Sequence, residues 1–119
     1  MPPLNHNRPK VAVVGDDLPQ RSGVVASLRG DFEIEGAEDY EGAYRLLREW
    51  RPDILILDFN MASGGLREGL NLLHELGESD LDTLTIVLSD DQRKGTSLRV
   101  MNARAYDYLL KRQPGKSCR

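Results

Sequence analysis

The sequence predicts a doubly wound α/β fold, a five-stranded parallel sheet with helices between its strands, and three observations predict it. Short runs of β-forming apolar residues recur five times, at residues 10–14, 32–37, 54–57, 84–88 and 106–110. Segments with apolar residues at helical spacing separate them, which is the alternation of a parallel sheet with right-handed crossovers. The run Ile54-Leu55-Ile56-Leu57 lacks the polar alternation of a half-exposed strand, suits a strand buried on both faces, and opens directly into Asp58.

Each element can be justified in turn. Lys10-Val11-Ala12-Val13-Val14-Gly15 reads as a buried first strand that ends in the pair Asp16-Asp17. Pro19 suits a first helical turn, Val24, Val25 and Leu28 form an apolar stripe, and Gly30 is a C-cap. Phe32 to Ala37 alternates apolar and polar residues, as a strand near a sheet edge does. Asp39 caps a second helix whose stripe is Ala43, Leu46, Leu47 and Trp50, and Pro52 stops it before the central strand. After Asp58 comes the glycine-bearing loop Met61-Ala62-Ser63-Gly64-Gly65, then a third helix with stripe Leu66, Leu70, Leu73 and cap Gly77. Leu84 to Ser89 is a fourth strand. The segment from Asp90 to Arg104 carries only Leu98, Val100, Met101 and Ala103 as apolar residues, so its helix is weakly anchored and free to shift. The fifth strand, Tyr106 to Leu110, ends in Lys111, and the residues after it include Pro114 and Gly115, which leaves no room for a fifth helix. The expected organisation is a lead-in over residues 1–9, one domain over 10–112 and a tail over 113–119.

Composition excludes several classes. At 119 residues, 39% apolar and 29% charged, the chain suits one core. A formal net charge of -3, with lysines and arginines scattered, gives no basic footprint for nucleic acid. The lone Cys118 cannot form an internal disulfide, and no apolar stretch reaches membrane-spanning length or forms a signal core, so a cytoplasmic setting is expected. No Walker-type or dinucleotide-binding glycine motif is present. His6 and His74 have no ligand-spaced partners, and Trp50 reads as core packing.

The chemistry sits at the strand ends. Parallel strands bring Asp16, Asp17, Asp58, Ser89 and Lys111 to one rim of the sheet, where open α/β sheets bind ligands. Three crowded carboxylates repel one another unless a cation offsets them, and hard oxygen ligands with room for water suit Mg²⁺. The set fits phosphoryl transfer, in which the protein positions and neutralises. Asp58 is the expected nucleophile. Asp17, helped by Asp16, and the backbone carbonyl of Asn60 are expected to join Asp58 around Mg²⁺, with Lys111 and Ser89 on the phosphate oxygens. Taken singly, Asp16 and Asp17 also suit a plain turn, Ser89 a structural hydroxyl and Lys111 a solvated strand end; the ordered set carries the reading.

From Lys10 to Lys111 the chain resembles the receiver domains of bacterial two-component response regulators. The residues that carry the likeness are Asp16-Asp17, Pro52-Asp53-Ile54-Leu55-Ile56-Leu57-Asp58, Asn60-Met61, Ser89 and Asp107-Tyr108-Leu109-Leu110-Lys111. The resemblance implies a flavodoxin-like sheet of order 2-1-3-4-5, phosphorylation of Asp58 by a histidine kinase or phosphotransfer protein, and slow hydrolysis back to rest. It implies that Ser89 and Tyr108 act as switch residues that move the fourth helix and fifth strand, and that an output domain belongs to a longer parent chain.

The sequence departs from the family pattern at Ala62 and Arg112, where prolines are common, and at Asp90, where a small residue is usual; Asp91 follows it. Negative charge beside a phosphoryl site costs binding unless the side chains point away. The loop after Asp58 is also about three residues longer than the simplest pattern. Without a fifth helix, apolar side chains of strands three to five meet water unless a partner subunit covers them. These departures favour, as the alternative, a degenerate receiver that acts as an interaction module. A flavodoxin-like cofactor binder or small phosphohydrolase is disfavoured, because Asn60 stands where such hydrolases place a second acid.

Overall fold

A computed structural model describes residues 8–61, 66–90, 94–102 and 105–111. The expectations for the lead-in, for Ala62, Gly64, Gly65, Asp91, Ala103 and Arg112, for the tail, and for the side chains of Leu66 and Leu98 lie outside the described residues. The strands are β1 (Lys10–Val14), β2 (Glu33–Ala37), β3 (Ile54–Asp58), β4 (Leu84–Ser89) and β5 (Asp107–Leu110). The helices are α1 (Leu18–Leu28), α2 (Tyr40–Glu49), α3 (Leu66–Glu78) and α4 (Lys94–Asn102). All neighbouring strands are parallel, and the order is β2-β1-β3-β4-β5, as the alternation and the resemblance led us to expect.

Register aligns Val14 with Leu57, Asp58 with Leu88 and Ser89 with Leu110, so the strands finish within a residue step of one another. The ladder extends past their ends: Gly15 N–H donates to Ala37 at 3.0 Å, Phe59 to Leu88 at 2.9 Å and Lys111 to Ser89 at 2.8 Å. These bonds fix the backbone that carries the polar rim.

The two faces of the sheet differ. Ala12, Val14, Leu55, Leu57 and Val87 form a dry core with Ala43 and Leu47 of α2, Leu72 and Leu73 of α3 and Val100 of α4. On the other face α1 has no fully buried residue, and Ile54, Ile56, Ile86 and Leu88 are only half-buried. The expectation that β3 is buried on both faces therefore holds for one. An apolar run reports affinity for a core but not whether a neighbour covers it, and here Leu84 and Leu109 stay 46% and 45% exposed.

Local signals mostly acted as read. Asp39 caps α2 by accepting from Gly42 N–H at 2.8 Å, and α2 ends at Glu49, ahead of Pro52. Arg29 rather than Gly30 is the C-cap of α1, with Gly30 just beyond it at φ 104. Gly77 does not cap α3, which runs on to Glu78. Trp50 is half-buried beneath the Lys10 ammonium, 5.5 Å from its ring centroid. That pair lies at the opposite end of the sheet from Asp58.

Candidate active site at the strand ends

Asp58 closes β3 and is 3% exposed. A carboxylate so deep needs charged or hydrogen-bonded partners, and Asp58 has both. Its Oδ1 accepts from Lys111 Nζ at 2.7 Å and from the Asn60 backbone N–H at 2.8 Å. The second bond is an Asx turn that bends the chain away from the strand. Lys111 follows β5, with β4 lying between it and β3, so the two backbones stand two strand spacings apart, about 10 Å, and the Lys111 and Asp58 side chains bridge them together. Only a long side chain closes that gap.

Gly15 forms the opposite wall. A Cβ at this position would stand 3.3 Å from the Asp58 Cβ and 3.4 Å from Oδ2, so the bare backbone lets β1 approach the carboxylate closely. The Arg21 guanidinium of α1 donates to the Gly15 carbonyl and holds this turn. Gly15 was not among the expected site residues; its place between an apolar strand and two acids was the available signal.

Asp16 and Asp17 follow Gly15 and are exposed. Asp17 is the N-cap of α1, its Oδ1 accepting from Gln20 N–H at 3.2 Å, so the residue read as the leading metal ligand also serves as a helix cap. Ser89 is 2% exposed at the end of β4. Tyr108 lies half-buried against the core on the same sheet face as Ser89, beside Val87 in register. Among the described residues, no three His, Cys, Asp or Glu side chains converge as a metal cluster. Mg²⁺ does not require one, because it is commonly held by one or two carboxylates with several waters. The donors here are hard oxygens, and in chemical type they fit that ion.

Two further features were not legible in the sequence. Tyr40, at the start of α2, buries a hydroxyl that finds no hydrogen-bond partner among the described residues. Burial, with the nearby Asp58 and Glu68 charges adding to it, pushes its ionisation well above the usual tyrosine range. Asn60 and Asp90 exchange two hydrogen bonds, Asn60 Nδ2 to Asp90 Oδ1 at 3.0 Å and Asp90 N–H to Asn60 Oδ1 at 2.9 Å. The Asp90 carboxylate is thereby engaged by an amide.

A fold of this order with acids at the ends of β1 and β3 narrows the field, and comparison with known proteins decides it. The model of the response regulator receiver domain family matches residues 11–117. The chain belongs to that family. Among curated relatives, the transcriptional regulatory protein PrrA of Mycobacterium leprae is 37% identical over 108 residues, which is 87% of this chain and 43% of PrrA. The oxygen regulatory protein NreC of Staphylococcus epidermidis is 31% identical over 108 residues, 88% of this chain and 49% of NreC. This receiver domain thus spans about half the length of the curated relatives it matches. A solved DNA-binding response regulator of the LuxR family from Staphylococcus aureus superposes with a TM-score of 0.73 at 27% identity, covering 86% of this chain and 85% of that one. No helix among the described residues is long and apolar enough to cross a membrane.

Proposed function

We propose that this receiver domain accepts a phosphoryl group on Asp58 from a phosphohistidine donor and that the modified carboxylate shifts the α4 and β5 surface. The observation that carries the reading is the Asp58–Lys111 contact of 2.7 Å, a nearly buried carboxylate held by a cation that reaches across β4.

In the transfer, an Asp58 carboxylate oxygen attacks phosphorus. The P–O bond forms as the P–N bond to the donor imidazole breaks, and the imidazole leaves with the electron pair and takes a proton. Lys111 balances charge on the phosphoryl oxygens, and the Asn60 N–H continues to orient the carboxylate. Asp58, one acid of the Asp16-Asp17 pair and the Asn60 carbonyl would hold Mg²⁺ together with water, and the ion would supply charge neutralisation when bound. In hydrolysis, water attacks phosphorus, the P–O bond to Asp58 breaks, and phosphate departs. In this reading Ser89 donates its hydroxyl to the phosphoryl group, and Tyr108, which lies on the same sheet face, follows it. The described part of α4 supports a movable surface, since it buries Thr96 and Val100 but leaves Met101 43% exposed. The kinase donor and an output domain on a longer parent chain complete the reading, with Mg²⁺ as cofactor and the cytoplasm as its setting.

The test is titration with beryllofluoride and Mg²⁺, read by NMR at the amides of Gly15, Asn60 and Ser89, with Asp58→Asn as control. Trp50 is a poor reporter because it lies at the far end of the sheet. Saturable, Mg²⁺-dependent shifts that Asp58→Asn removes are expected. A folded protein whose rim amides do not respond overturns the phospho-acceptor reading in favour of an interaction module.

A further inference from the structure

The Asn60–Asp90 pair joins the two segments whose relative position the proposed switch changes. Asn60 is two residues after Asp58 and is pinned to it through its own N–H at 2.8 Å. Asp90 directly follows Ser89. The carbonyls of Leu88 and Ser89 accept from Phe59 and Lys111, so Asp90 is the first residue past β4 whose N–H leaves the ladder, and the Asn60 side chain takes it. An asparagine amide suits this place because it offers an acceptor to the backbone N–H and a donor to the carboxylate in one plane. The two partners also fix its orientation: its oxygen must face the N–H and its nitrogen the carboxylate.

We infer that the Asn60–Asp90 pair is a latch that holds the Ser89 end of β4 in its resting position, with Asp90 a positioning residue that sets the affinity of Asp58 for a phosphoryl group. The inference rests on the phospho-acceptor reading. In the proposed switch the Ser89 end of β4 moves as its hydroxyl approaches a group on Asp58, and the backbone at Asp90 shifts relative to Asn60, whose position the Asx turn fixes. The two bonds then lengthen or break. Exposed hydrogen bonds, one of them charge-assisted, are worth enough to bias such an equilibrium by roughly three- to tenfold. The latch also turns the Asp90 carboxylate onto the Asn60 amide.

The experiment is a beryllofluoride titration at fixed Mg²⁺, read by NMR, of the wild type, Asp90→Ala, Asp90→Asn, Asn60→Ala and the Asn60→Ala/Asp90→Ala double variant. Both residues are exposed, so the variants are expected to fold. If the latch operates, Asp90→Ala, which keeps the backbone N–H bond to Asn60, and Asn60→Ala, which removes both bonds, each bind roughly three- to tenfold tighter, and the double variant binds no tighter than Asn60→Ala. Asp90→Asn, which keeps an acceptor for Asn60 but loses the charge, stays within about twofold of wild type. Equal affinities across the set overturn the latch while the phospho-acceptor reading stands. Tightening of Asp90→Asn to the level of Asp90→Ala also overturns it, because charge alone then accounts for the effect. Silence of every variant, like that of Asp58→Asn, overturns both.

Discussion

At the scale of single residues, Tyr40 shows how the core feels the acidic rim. Its hydroxyl is buried without a partner among the described residues, which costs free energy that phenylalanine would not incur. Tyr40→Phe is therefore expected to leave stability at neutral pH unchanged or to raise it by about 1 kcal/mol in urea denaturation. The same burial sets a pH dependence. The folded state keeps the Tyr40 proton well above the ordinary value of 10.0, whereas the unfolded chain releases it near that value. Stability from this group is complete below about pH 10 and falls as pH rises beyond it, because the unfolded state then binds fewer protons. Denaturation midpoints should drop above pH 10, and less steeply in Tyr40→Phe; Tyr44, shifted the same way by burial, keeps part of the slope. Gly15→Ala tests the wall of the site. Its Cβ would press on Asp58 at 3.3 Å, so weaker beryllofluoride binding with a folded spectrum is the expected result. Asp58 could be picked out of the sequence because turn propensity alone seldom places a carboxylate directly at the end of a wholly apolar run, whereas Lys111, which taken singly suits a solvated strand end, stood out only as part of the ordered set. The cap made by Asp17 was hidden, because a carboxylate just after a strand suits a metal and a helix start equally well.

At the scale of elements, the contact between α3 and the end of β3 is unusually close. A Cβ on Gly69 would fall 2.4 Å from the Phe59 ring, so α3 can lie on the residue that follows Asp58 only because it is bare there. Gly69→Ala is expected to destabilise by about 1–3 kcal/mol, as overpacking of a full core does, and to weaken phosphoryl-mimic binding by displacing Phe59. Thermal denaturation and the NMR titration check the two parts separately. The existence and chain order of the nine elements among the described residues were readable from periodicity and from turn residues. Their ends were less so: Gly77 looks like a cap in the sequence, yet α3 passes through it to Glu78. The half-exposure of Ile54 and Ile56 runs against the unbroken apolar run but in the direction of the expectation that apolar side chains of strands three to five meet water.

At the scale of the whole molecule, the asymmetry of the sheet has physical consequences. Leu84 and Leu109, with half-buried Ile54, Ile56, Ile86 and Leu88, leave one face of β3 to β5 partly open to water. This chain should bind a hydrophobic dye such as ANS at pH 7, and Leu109→Ser should reduce that fluorescence while changing stability by no more than about 0.5 kcal/mol. Equal dye binding by the variant would show that the open face lies elsewhere. The fold was legible because its alternation is written along the whole chain; long-range pairs such as Asn60 with Asp90 were not, because no local pattern brings position 60 to position 90. The rim has one more property. Its parts come from Gly15, Asp58, Ser89 and Lys111, which meet only after the non-local β1–β3, β3–β4 and β4–β5 pairings have been made, the slow kind of event in folding. On the phospho-acceptor reading, a nascent or misfolded chain therefore has the aspartate without the site around it, and only molecules that have finished folding take part in signalling.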